Sequence, residues 1–466
     1  MAKLKSNLRV WVVVLTLMIL GMSHPGQAAA NLVLLQDINP DAGSIPLYLK
    51  VVGEQLFFVA DDGTHGYELW VSNGTVAGMV KDIAPSGKSY IPTNLTGYNG
   101  LLYFNANDNL SGQELWVSDG TEPGTDLLKD IYPSGDSNPT RLTVSNNLLF
   151  FQAVDGVHGY ELWKSDGTPD GTLLVMDINP DGASSSPTIL TDVNGTLFFV
   201  ADDGLHGAEL WKTDGTVTEM VKDIHPAGSS NPRRLAKMGN QLYFSANDGV
   251  LGDVLWKSDG SADGTVPLMD QQGNPVSSPN NLTEANGNLF FSAVDAENGN
   301  ELWISDGTSS GTRVVMDISL GPNSSNPAAF AVMDALLYFS AFTPQYGREL
   351  WRSDGTEMGT FLVKDIHPIA GSFPLEPVVA GGWLFFKAKD GLHGEELWAS
   401  DGSTAGTFMV ADLLPGSLGS APTWLTAFNE RLYFVADDGV LGQEIWSVSL
   451  ASIQAPSYLF LPYAAR

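Results

Sequence analysis

The chain has 466 residues, with 50 Gly, 26 Pro, no Cys, and 53 acidic side chains against 23 basic ones, for a formal charge of −30. So acidic a protein repels a phosphate backbone, and without thiols it has no disulfide framework, thiolate nucleophile or Cys-ligated zinc or iron–sulfur site. At 43% hydrophobic and 10% aromatic residues it is too apolar for an acidic disordered chain.

The first element predicted is an export signal over residues 1–30. Lys3, Lys5 and Arg9 give a positive start, Val10 to Met22 is an apolar run, and Gln27-Ala28-Ala29-Ala30 offers a small-residue cleavage site. The run is too short for a membrane span and suits a signal core; the competing reading is an uncleaved anchor. No later segment is apolar over ~18 residues, so the expectation is a secreted protein, extracellular or at the cell surface, with no transmembrane segment after cleavage.

From there to about residue 450 one pattern repeats. Its markers are Trp70, Trp116, Trp163, Trp211, Trp256, Trp303, Trp351, Trp398 and Trp446, spaced by 46, 47, 48, 45, 47, 48, 47 and 48 residues. Each unit carries Glu-Leu-Trp or a variant, then an Asp-Gly turn, a short apolar run ending in Asp-Ile, and a Pro/Gly/Ser-rich loop. An x-Leu-Thr stretch, an Asn-Gly turn and Leu-Tyr/Phe-Phe-x-Ala complete it. Periods of this length signal a stacked repeat architecture.

Within each unit the runs are short, rich in β-branched and aromatic residues, and show no 3.6-residue stripe. Asn99-Gly100, Asn194-Gly195 and Asn286-Gly287 predict two-residue type I′ hairpins. Adjacent large apolar residues, as in Leu197-Phe198-Phe199, predict a strand covered on both faces. Four-stranded sheets stacked around a ring satisfy that, so the prediction is an all-β fold, a β-propeller of four-stranded blades. The long connection after Asp-Ile makes the x-Leu-Thr strand innermost and the Asp-Ile strand outermost. The chain then opens on a lone outer strand, Leu32 to Ile38, which completes the last blade beside Trp446. This gives nine blades closed by an N-terminal strand; the alternative register, with Asp-Ile innermost, gives nine sequential blades without that clasp.

The Glu-Leu-Trp-x-Ser-Asp-Gly-Thr signature, as in the copies that carry Trp116 and Trp351, resembles the ELWxxDGT repeat family of hyalin-like secreted bacterial proteins over residues 32 to 448. The resemblance implies an extracellular repeat protein and assigns no chemistry. The stretch Ala60 to Trp70 is similar in spacing to the tryptophan docking motif of quinoprotein propellers, which implies a packing role for Trp70 and its eight equivalents and no cofactor.

A residue present in every unit does what every unit needs, so functional candidates are sought among departures from the repeat. Arg233, Arg234 and Lys237 form a cation cluster expected on a rim loop; Tyr346 and Arg348 interrupt an Asp-Gly turn; Trp424 adds an aromatic to an innermost strand. These six are the ligand-binding candidates. Asp62, His65, Asp155, His158, Asp203 and His206 are the weaker metal candidates, with turn formation as the competing role. No cofactor is predicted, calcium being the alternative, and no catalytic residue is named. The functional expectation is a non-catalytic extracellular propeller, monomeric, binding a glycan, cell-surface component or protein partner through one face. The alternative is a secreted enzyme acting on polysaccharide or glycosidic bonds in a central funnel. The tail 451–466, including Ser457 to Tyr463, reads as a retention signal or an extra edge strand.

Overall fold

A computed structural model describes residues 31–85 and 90–454; the predicted export signal and the Ser457 to Tyr463 tail lie outside the described residues. The fold is all-β and propeller-like. Among the described residues the one helix is a 3-10 turn, Leu450–Ser452, and no helix is long and apolar enough to cross a membrane.

The first strands set the pattern. β1 (Leu32–Leu34) stands apart, and β2 (Leu47–Val52), β3 (Gln55–Asp61), β4 (Tyr67–Ser72) and β5 (Ala77–Lys81) form an antiparallel sheet in sequence order. Six further sheets are four-stranded and one is eight-stranded. β1 joins the sheet of the final three strands, with Leu32 opposite Val448 and Leu34 opposite Trp446.

The hairpin between the first and second strand of a sheet has the predicted backbone. Asn194 and Gly195 hold φ of 52° and 86°, and Asn99 and Gly100 hold 49° and 77°, values that suit Asn and Gly. In the second strands Leu56 to Ala60 are all buried. Leu56 and Phe58 pack in one core cluster with Phe428, Tyr433 and Ile445 of the last sheet, whereas Phe57 and Val59 pack with Leu95, Leu102 and Phe104 of the next. Neighbouring residues therefore feed different cores, which is why the apolar residues are consecutive rather than alternating. The nine repeat tryptophans are 4–7% exposed and sit in these inter-sheet clusters, in keeping with a packing role.

The glutamate before each Leu-Trp has a role that its charge hides in the sequence. Glu209 is fully buried and accepts hydrogen bonds from Ile224 N (3.0 Å), Ser230 N (2.8 Å) and Ser230 Oγ (2.6 Å). One carboxyl thus ties its own strand to the Asp-Ile turn and to the serine that leads into the next sheet. Such a buried group is tolerable because its lone pairs are filled. Where Val254 replaces this glutamate, the loop Gln271 to Asn274 replaces Asp-Ile, and Val254 pairs directly with Ser277. That bridge merges two four-stranded halves into the eight-stranded sheet.

Candidate ligand site: a ring of bulged first strands

The opening strand of each four-stranded unit, the two halves of the eight-stranded sheet taken separately, pairs with its own second strand and touches the opening strand of the next unit. Thr423–Phe428 of the last sheet touches β2 of the first. Every one of these strands carries a bulge at the same place. Thr188 pairs with Val200 and Thr191 with Phe198, so two residues face one, and the same shift recurs from Leu47/Lys50 to Thr423/Thr426.

At the bulge the residue x of x-Leu-Thr, or its counterpart in the four strands that lack Leu-Thr, takes a left-handed backbone. The nine residues are Tyr48, Asn94, Arg141, Ile189, Arg234, Asn281, Ala329, Glu376 and Trp424, with φ between 54° and 61°. Only two are asparagine, which tolerates this region; for a β-branched residue such as Ile189 it is an outlier. The threonine of the motif helps hold it: Thr191 Oγ1 donates to Ile189 O at 3.2 Å, Thr143 Oγ1 to Arg141 O at 3.0 Å and Thr426 Oγ1 to Trp424 O at 2.9 Å. Backbone strain of this kind costs on the order of 1–2 kcal/mol per residue. Replacing Ile189 with Asn, which accepts a left-handed backbone, is therefore expected to stabilise the fold by about 0.5–1 kcal/mol, read as a higher urea midpoint. A lower midpoint would show that Ile189 contributes more by packing than it costs by strain.

Neighbouring ring residues interact across sheets. Tyr48 and Trp424 meet edge to face with ring centroids 5.1 Å apart. Arg141 N donates to Asn94 Oδ1 at 3.4 Å, Arg234 Nε to Asn280 Oδ1 at 2.7 Å, and Asn281 Nδ2 to Pro327 O at 3.1 Å. Arg141, Arg234, Glu376 and Trp424 are exposed.

Cation placement sharpens the site. Several other basic side chains are staples between sheets: Lys129 Nζ donates to Thr172 O (2.6 Å), Lys222 Nζ to Thr265 O (2.8 Å) and Arg352 Nη1 to Gly402 O (3.0 Å). By contrast, the side chains of Lys50, Arg141 and Lys237 have no partner among the described residues, and all three lie on first strands.

Of the six sequence candidates, Arg234 and Trp424 fall on this ring, and Arg233 and Lys237 share a strand with Arg234. The expectation that the cation cluster sits on a rim loop is corrected: it lies within the strand Arg233–Met238, because the bulge lets a strand carry these side chains. Arg233 is also engaged, its Nη2 lying 3.3 Å from Asp253 Oδ2. Arg348 lies away from the ring. It is half-buried and donates to Asn326 O (2.8 Å) and to Ser340 O and Oγ. Tyr346 is half-buried in the same turn, with its N–H bonded to Thr343 Oγ1 at 3.2 Å.

The metal candidates are engaged within their own loops. His65 Nδ1 lies 2.7 Å from Asp62 Oδ2, and His158–Asp155 and His206–Asp203 have the same distance. The same aspartates accept the backbone N–H of the histidine, which makes each pair part of a turn. Bonding to the carboxylate raises the pKa of all three imidazoles.

Sequence reasoning missed Tyr48, Asn94, Arg141, Ile189, Asn281, Ala329 and Glu376. The signal was faint: across the five copies that keep Leu-Thr, x changes from Asn to Arg, Ile and Trp, and the other four strands lose the motif.

No protein-family model matches the chain, and no curated protein matches it. Solved structures similar to it include a puromycin hydrolase, at 13% identity and TM-score 0.37, covering 76% of this chain and 59% of that one. A structure from a study of two prolyl endopeptidases is similar at 10% identity and TM-score 0.40, covering 78% of this chain and 55% of that one. This chain thus spans under two thirds of either. These similar structures bear the names of hydrolases, and the expectation of a non-catalytic face for glycans, cell-surface components or protein partners is withdrawn. Of the six residues offered for that face, Arg234, Trp424, Arg233 and Lys237 lie on first strands, whereas Arg348 and Tyr346 lie at a turn. The likeness is one of fold and assigns no hydrolase activity to this chain.

Proposed function

We propose that this chain is an exported member of the ELWxxDGT repeat type, built as a nine-bladed propeller closed by its N-terminal strand, whose function is to bind small molecules on the ring of bulged first strands. The blade count takes the eight-stranded sheet as two blades. The repeat signature and the positive-apolar-small order of residues 1–30 support the family and export readings.

One observation carries the binding reading: nine equivalent positions share a strained backbone yet carry unlike side chains. If the bulge served packing alone, glycine or asparagine would fit all nine more cheaply. Strain held in common beneath varied chemistry is the arrangement expected of a scaffold that presents side chains to a ligand. Around the ring, an arc with Arg141, Ile189, Arg234 and Asn281 lies away from the aromatic pair Tyr48 and Trp424.

The test is a saturation-transfer NMR screen of mixed small metabolites against residues 31–466. It is repeated on a chain with Tyr48, Arg141, Arg234, Glu376 and Trp424 all changed to Asn. Hits lost in the variant, with its melting temperature unchanged, support the ring as the binding surface. Hits retained at full strength reject it.

A further inference from the structure

We propose that the cavity between the sheet containing Thr188–Val193 and the one opening with Arg233–Met238 binds a free aliphatic α-amino acid. Its volume is about 460 Å³, within the range of small-molecule sites. The space follows from Ala208, which lines it and pairs with Asp202 across the hairpin between the second and third strands. The same place holds Tyr67 and Tyr160 in two other sheets and no residue smaller than Asp253 in the rest.

Two opposite charges line this cavity, one from each sheet. Asp202 is its one carboxylate and Arg233 its one cation, and no ion pair joins them among the described residues. Asp202 Oδ1 accepts the Gly204 N–H at 2.8 Å, and its Oδ2 has no partner among the described residues. Arg233 uses only Nη2, 3.3 Å from Asp253 Oδ2, which leaves Nη1 and Nε free to donate. The pairing of charges is particular to this boundary. Every other first strand has an uncharged residue at the place of Arg233, and four have threonine: Thr93, Thr140, Thr188 and Thr423.

The chemistry narrows the ligand in three ways. A zwitterion satisfies both walls at once, its ammonium on Asp202 and its carboxylate on Arg233, through charge-assisted hydrogen bonds. A ligand with a single charge would take water from one of the two groups and return nothing to it. Ile189, Val200 and Pro232 supply an apolar side to the same cavity, which suits an aliphatic side chain carried on the carbon between the two charged groups. A zwitterion also has no net charge, so the −30 of the whole chain does not repel it, as it would a free carboxylate.

The experiment is isothermal calorimetry of the protein with leucine, leucinamide, N-acetyl-leucine and glycine. Leucine is expected to bind at least tenfold more tightly than the other three, which lack the carboxylate, the ammonium and the side chain in turn. Asp202→Asn and Arg233→Thr should each weaken leucine at least tenfold, and Ala208→Tyr should abolish its binding. All three place residues that the fold already carries there; Asn107 and Asn247, for example, accept the same loop N–H at 2.7 Å. Asp437→Asn, at the corresponding place in the last sheet, faces a first strand with Leu47 in place of Arg233 and should leave the affinity unchanged. No leucine binding, a blocked derivative or glycine binding as tightly as leucine, or an unchanged affinity in Asp202→Asn, Arg233→Thr or Ala208→Tyr would each overturn the proposal. Asp202, Ala208 and Arg233 lie outside the nine ring positions, so this result and that of the NMR screen on the ring stand or fall separately.

Discussion

A chain lacking Leu32 to Ile38 is expected to melt on the order of 10 °C below the intact protein and to associate through the edge it exposes. β1 is only three residues long, yet several interactions depend on the segment it begins. Leu34 lies opposite Trp446, Leu35 N donates to Ile445 O at 2.8 Å, and Leu32 and Leu34 pack against the last sheet's core. Ile38 is 6% exposed in the cluster that holds Leu56, Phe58, Phe428 and Ile445. Just beyond the deletion, Ser44 donates through N (2.9 Å) and Oγ (2.7 Å) to Glu444.

Burying Ile38 and part of two leucines contributes about 3–5 kcal/mol, and the lost backbone hydrogen bonds add ~1 kcal/mol each. A loss of that size corresponds to roughly 10 °C for a protein of more than 200 residues. The last sheet would also present an unpaired edge at Gln443–Ser449, a template for strand addition. Scanning calorimetry and size-exclusion chromatography check both effects, and a synthetic peptide of residues 31–38 should restore the melting temperature. An unchanged melting point would show that β1 contributes nothing to stability.

The second large effect is an unusual dependence on pH. Burial pushes the carboxyls of Glu68, Glu114, Glu301, Glu396 and Glu444 up to about 7, against the pull of the N–H and O–H groups that favour the ionised form. With a native pKa near 7 and an unfolded one near 4.5, the folded protein holds more protons between those values. These groups therefore give their full stabilisation below about pH 4.5 and lose it as pH rises to about 7. The raised imidazoles of His65, His158 and His206 act in the same sense, since their bonds to aspartate weaken as they deprotonate.

Opposing this, bonding to turn N–H and hydroxyl groups lowers Asp119, Asp166 and Asp306, whose contribution is present above about pH 4 and lost below it. The optimum should fall near about pH 4.5–5.5. Counting on the order of 1 kcal/mol per buried carboxyl, the melting temperature should drop by about 5–10 °C from pH 5 to pH 8. Glu396→Gln, which cannot ionise, should flatten that slope in part. A melting temperature that climbs from pH 5 to pH 8 would show these carboxyls to be ionised in the native state.

Much of the fold was legible because each repeat states its own local physics. Asn194-Gly195 announces a type I′ turn, Leu197-Phe198-Phe199 a strand with two buried faces, and Asp166-Gly167 a turn whose aspartate bonds its own backbone, as Thr168 N does to Asp166 Oδ1 at 2.9 Å. Nine copies let one reading be checked against eight others. The histidines were legible as turn formers for the same reason, since a partner three residues away is visible in the chain.

The candidate site was less legible. Arg234 and Trp424 stood out as departures from the repeat, but Arg348 stood out equally and proved to be holding carbonyl oxygens. Exposure and hydrogen-bond use separate these cases, and neither is written in a residue's identity. The buried glutamates escaped as well. A charged residue before Leu-Trp reads as solvated, and for Glu209 the donors Ile224 and Ser230 lie 15 and 21 residues away on another turn.

The sequence by itself determined the repeating unit, the strand content, the hairpin turns and the acidic, thiol-free character, because each depends on contacts within a few residues. Only the tertiary structure decided that the bulge residues of nine first strands share one ring, and that Lys50, Arg141 and Lys237 are left free while several other cations staple sheets together. The physical reason is distance along the chain. Ring neighbours lie about one repeat apart, and Tyr48 and Trp424 stand at opposite ends of the sequence, so their meeting depends on how whole sheets stack.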